Sequence, residues 1–382
     1  MLYEIAQEFP HEMIFQEGGP CISIYQPTHR HAPDNKQDPV VFKKLLQSVE
    51  EDLIQLDDVQ QTEGYMEPFW RLLDDRSFWN KTQDGLAILS NAQRCIIYHL
   101  GSPVMAEATV SDYFDIRPLI ANFQASDSFY LLGLTAKTFA LYEGNQNGVQ
   151  EIELPDTIPR TIEEALGEEY GETFLNQRTS GRAEGSARFY SHGGKKEEAD
   201  QELERFFRVV DREVYDFLKQ NQKKPLILVS LTEHHSIFRK ISNNPNLLET
   251  GVKSSYEALN LKELWEHAWK IIAGNHEKRT TLLLEEFKKA QASFLGSTDI
   301  IQIGRAVFEK RIKTMFVEEN MGIGGHLNLS TGEVMLTGRD NKLVGNLIDQ
   351  LIYLTLLEGG EVVVLPSFKM PGESGVAAIY RF

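Results

Sequence analysis

The residue types that could do chemistry are concentrated in one stretch of the chain. Between positions 178 and 196 the sequence places Arg178, Arg182, Arg188, Lys195 and Lys196 against Glu184 alone, and interleaves them with Gly181, Gly185, Gly193 and Gly194. The whole chain carries a formal net charge of −17, so this stretch is a basic island on an acidic body. Guanidinium and ammonium groups displace counterions from a phosphate polymer, and glycine lets backbone come close to it, so the composition suits a local contact with RNA. A basic, glycine-rich loop that is merely solvated and ends at a helix start has the same composition, and the residues alone leave both readings open.

Other candidates are weaker. Gly322-Ile323-Gly324-Gly325-His326 is rich in glycine but lacks both the GxGxxG spacing and the Gly-Lys-Ser/Thr ending of a phosphate loop, which points to a turn. His29 and His31 form a His-x-His pair between Pro27 and Pro33, with no carboxylate or cysteine cluster close in sequence, which points to surface histidines rather than a metal site. His234-His235 follows an apolar run, and an N-cap by Thr232 or Ser236 explains the local sequence. Neither a Gly-x-Ser-x-Gly elbow nor a His-Glu-x-x-His helix occurs. No cofactor and no metal is expected.

Composition narrows the class of protein. At 382 residues the chain is long enough for two or three domains, and 41% apolar with 25% charged residues is the balance of a globular protein. The amino terminus carries Glu4 and Glu8 without Lys or Arg, and no apolar run reaches the ~18 residues of a membrane helix, so a cytoplasmic protein without membrane contact is expected. Cys21 and Cys95 are too few for a disulfide framework. The charge of −17 excludes a general nucleic-acid coat, and DNA binding is not expected; any RNA contact must be local.

The elements that must position the basic stretch can be read from periodicity. Residues 1–125 read as an α+β unit: a strand over CISIY (21–25), a helix opened by Asp38-Pro39 with Asp38 as N-cap, and a hairpin of GLAILS (85–90) and RCIIYHL (94–100). Residues 126–258 begin with a three-strand meander, SFYLLGLT (128–135), TFALY (138–142) and VQEIEL (149–154). A long glycine-rich loop over 166–196 follows, then a helix from Lys196 to Leu218 with Leu203, Phe206, Phe207, Val210, Val214, Phe217 and Leu218 at three- and four-residue steps, then a buried strand at Leu226–Val229. Neither SFYLLGLT nor TFALY contains a carboxylate, which argues against a two-metal nuclease. Residues 259–382 alternate helix and strand: helices over 300–311 and 342–357, strands at 314–317, 362–365 and 376–380.

Three stretches of this last region, IGRAVFEKRIKTMFVEEN (303–320), LVGNLIDQLIYLTLLEGGEVVVL (343–365) and the ending GVAAIYRF (375–382), resemble the third domain of the archaeo-eukaryotic class I release factor and Pelota family. The meander, glycine-rich loop, long helix and LILVS (226–230) are similar to that family's second domain, and CISIYQPTHR (21–30) is similar to its bacterial branch. The resemblance implies an α/β chain of three domains: an α+β N-terminal domain, an RNase H-like mixed-sheet middle domain, and an α/β/α C-terminal domain with the fold of the ribosomal protein L7Ae group. It also implies a translation factor that contacts the ribosome or tRNA, with a translational GTPase or other protein as a possible partner of the C-terminal domain.

The family's hydrolytic device is a Gly-Gly-Gln loop in the second domain. Here the resemblance assigns that place to Gly193, Gly194 and Lys195, with Lys where Gln stands; a second register, Gly185-Ser186-Ala187-Arg188-Phe189, also lacks Gln. Lysine offers only donors, whereas an amide can also accept from an attacking water. Peptidyl-tRNA hydrolysis is therefore doubtful. The chain also shows no Thr-Ala-Ser-Asn-Ile-Lys-Ser stretch of the kind used to read stop codons. The alternative is a non-ribosomal protein-binding or regulatory protein that keeps the fold.

Overall fold

The computed structural model describes residues 3–6, 8–16, 19–56, 59–125, 128–145, 148–167, 192–219, 224–337 and 345–382, with only the backbone described at 59–61, 125 and 192–199. By packing, the chain forms two compact units: Met1–Ser126 together with Lys278–Phe382, and Asp127–Glu277. Each contains mixed α/β structure.

The amino-terminal part of the first unit carries strands β1 (Glu4–Ile5), β2 (Cys21–Pro27), β3 (Gly85–Ser90), β4 (Cys95–Leu100) and β5 (Glu107–Ser111), and helices α1 (Asp38–Gln55), α2 (Val59–Asp74), α3 (Arg76–Trp79) and α4 (Arg117–Ala125). The sheet runs β1-β4-β3-β2-β5, parallel only at β1/β4. Its strands lack polar alternation because both faces are covered. Ile22, Ile24, Leu86, Ile88 and Ile97 face Phe42, Leu46, Val49 and Phe69 of α1 and α2. The intervening residues Tyr25, Ala87, Leu89, Ile96 and Tyr98 enter a separate core.

Asp38 differs from its expected role. Gln37 stands at the N-cap and makes no side-chain cap bond, while Asp38, 1% exposed, is the first residue of α1. Its carboxylate instead accepts from the His29 backbone N–H at 2.9 Å and lies 2.7 Å from His29 Nδ1. The His29 loop therefore does have a carboxylate neighbour, supplied by α1.

The second unit holds β6 (Phe129–Leu134), β7 (Phe139–Asn145), β8 (Gly148–Glu151) and β9 (Leu226–Val229) in the order β8-β7-β6-β9, with β9 parallel to β6. Its helices are α5 (Ile162–Leu166), α6 (His192–Leu218), α7 (Thr232–Ile241) and the first half of α8 (Leu261–Ala292). Period-two alternation again sorts the strands. Tyr130, Leu132, Leu134 and Leu141 pack with Phe206, Phe207, Val210 and Val214 of α6. Phe129, Leu131, Ile227 and Val229 pack with Leu264, Ala268 and Ile272 of α8.

The carboxyl-terminal part belongs to the first unit. It contains β10 (Gly296–Ser297), α9 (Ile300–Phe308), β11 (Ile312–Glu318), β12 (Gly325–Leu327), β13 (Val334–Leu336), α10 (Leu347–Leu357), β14 (Glu361–Leu365) and β15 (Val376–Tyr380). Asp299 caps α9 by accepting from the Ile301 and Gln302 N–H groups. The sheet order is β10-β15-β11-β14, with β11/β14 parallel and β11/β15 antiparallel. One face, with Phe316, Val363 and Ala377, packs on Phe287 of α8.

The other face shares a core with the amino-terminal sheet. Met315, Val317, Val362 and Val376 join Leu347, Ile348 and Leu351 of α10, and these meet Leu89, Tyr98, Phe114 and Leu119 in one cluster. Side-chain amides complete the junction: Gln124 of α4 donates to the Val362 carbonyl and accepts from the Val364 N–H, both at 3.0 Å, so it occupies the place of a neighbouring strand on the edge of β14.

Both cysteines are buried, and burial pushes each thiol up to about 12. Thiolate is the reactive form, so an aromatic disulfide reagent at about pH 8 should leave Cys21 and Cys95 unmodified in the native protein and titrate both in urea. Fast native labelling would contradict this packing.

Candidate functional site

The expected site residues fall on the approach to α6. Arg178, Arg182 and Arg188 lie outside the described residues, as does most of the expected loop over 166–196. Gly193, Gly194, Lys195 and Lys196 lie at the start of α6, which begins at His192 rather than at Lys196. The glycine pair is thus helical, not loop. Lys195, Lys196, Glu197, Glu198 and Ala199 are all good helix formers, and the first turn tolerates glycine because its N–H groups have no intrahelical partner in any case. Among the described side chains of α6 the first that is fully buried is Phe206, thirteen residues beyond Gly193. At ~1.5 Å per residue the glycine pair stands about 20 Å along the axis from the anchor.

That anchor is firm. Phe207 makes edge contacts with Phe238 and with the buried His234 ring. Asp211, also buried, accepts from Ser242 Oγ at 2.5 Å and from the Asn243 N–H at 3.0 Å, which ties α6 to the end of α7. Neither Thr232 nor Ser236 caps α7; Leu231 stands at that position without a side-chain bond. His234 and His235 are core groups instead: His234 Nδ1 lies 3.2 Å from Ser230 Oγ and His235 Nε2 lies 3.0 Å from the Val252 carbonyl. Burial lowers the pKa of both, which favours neutral rings.

A second cluster, absent from the sequence reading, lies in the first unit. Arg117, at the start of α4, is 8% exposed. Its Nε and Nη2 donate to Asp115 Oδ1 and Oδ2, each at 3.0 Å, and its Nη1 donates to the Met321 carbonyl. Asp349 of α10, 4% exposed, approaches Arg117 Nε at 3.3 Å, but its Oδ1 makes no hydrogen bond. Burial, with the Asp115 carboxylate next, pushes the Asp349 carboxyl well above the usual carboxylate range, against the pull of Arg117. The arginine itself is penalised by burial, but Asp349 and Asp115 more than compensate and hold its pKa up. Geometry makes Asp115 the bidentate ionic partner and leaves Asp349 the poorly paired one.

These residues line a cavity of about 880 Å³ that also includes Glu107, Glu319 and the turn Gly322-Ile323-Gly324. Gly325, next in that turn, has φ +153°, and a side chain there would run into the Met335 carbonyl, so the glycine is required by backbone packing rather than by a nucleotide. The available signals for this cluster were Asp115-Ile116-Arg117-Pro118 at a helix start and a lone Asp349 in the apolar helix LIDQLIYLTLL. Among the described residues no group of three His, Cys, Asp or Glu side chains is placed to hold a metal, and no helix is long and apolar enough to cross a membrane.

Residues 128–311 match the family model of bacterial archaeo-eukaryotic release factor family 3, a span that runs from β6 to the end of α9. The chain resembles the bacterial homologues of the archaeo-eukaryotic class I release factors and Pelota. Among solved structures it is similar to the archaeal translation termination factor aRF1 (14% identity, 97% of this chain and 96% of that one, TM-score 0.24). It is also similar to archaeal Pelota, from a model of ribosome-bound Pelota and ABCE1 (14% identity, 78% and 77%, TM-score 0.41). A third is S. cerevisiae Dom34, a termination-like factor involved in RNA quality control pathways and interacting with Hbs1 (13% identity, 78% and 73%, TM-score 0.41). No curated protein sequence matches the chain.

Proposed function

We propose that this protein is a ribosome- or tRNA-associated factor of the release-factor and Pelota type that does not read stop codons and hydrolyses peptidyl-tRNA poorly, if at all. The observation that carries this is the match of residues 128–311 to a release-factor family. The basic stretch supports it: Arg178, Arg182, Arg188, Lys195 and Lys196 lead into the far end of a helix anchored at Phe206, which suits delivery of positive charge to RNA away from an acidic body. On this reading residues 1–125, 126–258 and 259–382 correspond to the family's three domains, the second RNase H-like and the third L7Ae-like. The third would meet a translational GTPase or another protein, and the factor would work in the cytoplasm.

The formal charge of −17 favours a second reading, a protein-binding or regulatory protein that keeps the fold without visiting the ribosome. Co-sedimentation with ribosomes through sucrose, at about 50 and 200 mM salt, separates the two. Retention that falls with salt is the expected result. Absence from the ribosomal pellet even at the lower salt would favour the second.

A further inference from the structure

We infer that the cavity lined by Asp115, Arg117 and Asp349 binds a small organic cation, with an ammonium or guanidinium group donating to Asp349 and an aliphatic stem along the apolar wall. Three observations within the first unit carry this. The cavity, at about 880 Å³, falls in the range of small-molecule sites. Among the described residues that line it, the carboxylates Asp52, Glu107, Asp115, Glu319 and Asp349 stand against a single cation, Arg117. That cation is already committed, to both oxygens of Asp115 and to the Met321 carbonyl.

The third observation points to the ligand directly. Asp349 is nine-tenths buried and lines the cavity, and its Oδ1, though 3.3 Å from Arg117 Nε, accepts no hydrogen bond. A buried acceptor left without a hydrogen bond is destabilising, and a donor from the cavity side removes that cost. A positively charged donor does more, because it also offsets the carboxylates around it. The lining also includes Tyr25, Val104, Ala108, Pro118 and Ala121, whose apolar surface suits methylene groups better than a hydrated metal ion. The absence, among the described residues, of any three grouped metal-ligating side chains points the same way.

Binding has a proton signature. Burial, then Asp115 and more weakly Glu107, raise the Asp349 pKa and so favour its protonated form, while Arg117 and Asn346 oppose. An incoming cation favours the carboxylate, so the O–H bond of Asp349 breaks and the proton leaves to solvent as the ion pair forms.

Titration calorimetry on the full chain tests this with agmatine and 1,4-diaminobutane as probes and 1,4-butanediol as the uncharged comparator. The expected result is one site for the two cations, none for the diol, and release of up to one proton near neutral pH, read from buffers of different ionisation heat. Asp349→Asn should lower affinity about tenfold and abolish the proton release. Glu319→Gln, at the exposed rim, should weaken binding about threefold without touching the core, and Glu51→Gln, exposed and outside the cavity, should leave it unchanged. No binding of either cation, or several weak sites indifferent to Asp349→Asn and Glu319→Gln alike, would overturn the assignment.

Discussion

Replacing Arg117 by alanine should lower the free energy of unfolding by about 3–5 kcal/mol, the range for breaking a buried ion pair from one side. Among the described residues the guanidinium is the only side-chain donor to the Asp115 carboxylate, and it fixes the Met321 carbonyl of the carboxyl-terminal part at the same time. Alanine leaves the buried Asp115 carboxylate with the backbone N–H of residue 117 but without its charged partner, and it severs one of the polar links that accompany the shared apolar core. Urea denaturation reads the effect as a fall in midpoint; a loss below about 1 kcal/mol would mean that water or another donor takes over the carboxylates.

The same cluster fixes the sign of a pH effect. The Asp349 carboxyl has a pKa raised above its ordinary value of 3.8, so the folded state keeps a proton that the unfolded chain has lost. Its contribution to stability is fully present below that ordinary value and is lost as pH rises through the raised one. Asp349→Asn removes this dependence. The stability of the natural protein relative to the Asn variant should therefore fall as pH rises above that ordinary value, and a rise would contradict the assignment.

The second large effect concerns the chemistry of Lys195. Peptide release from ribosome-bound peptidyl-tRNA should be poor with the natural sequence, and Lys195→Gln should raise it about tenfold, below the 10²–10³ that a single well-placed polar group contributes in other hydrolases. A lysine ammonium can steady a developing oxyanion but cannot accept from the attacking water; glutamine can do both. The helical position of Gly193 and Gly194 adds a condition, since the first turn of α6 must open if their backbone is to enter a tRNA site in loop form. Robust release by the natural sequence, abolished by Lys195→Ala, would make Lys195 catalytic. Equal inactivity of both forms at saturating binding would leave the stretch with a role in recognition alone.

Much of the fold was legible from short-range pattern. The meander, the hairpin 85–90/95–100 and the strand Leu226–Val229 announced themselves by β-type runs between turn residues, and α6 by apolar residues at three- and four-residue steps, of which Phe206, Phe207, Val210 and Val214 are indeed buried. What pattern could not reveal was the partner of a buried face. The odd face of β3 and the inner face of β11 are both apolar, yet nothing local says that Leu89 and Met315 share one core across more than two hundred residues.

Polar roles were less legible for the same reason. Asp38 fits an N-cap by sequence, but its carboxylate is taken by His29, nine residues earlier. His234-His235 suggested a helix start, whereas Ser230 and Val252 hold both rings in the core. Arg117 and Asp349 were each visible as isolated charges among apolar residues, and only the fold brings them within 3.3 Å. The basic residues of 178–196 were legible by composition, because a surplus of charge needs no tertiary contact to be recognised.

The most direct test of ribosome binding through that stretch is the salt dependence of the ribosome dissociation constant, measured for the natural protein and for a variant with Arg178, Arg182, Lys195 and Lys196 replaced by alanine. Each phosphate contact contributes about 0.7–0.9 to the slope of log affinity against log salt, so the variant should bind more weakly and its slope should be shallower by up to about 3. Thermal stability should be nearly unchanged. The same affinity and the same slope for both proteins would contradict an RNA contact by these residues.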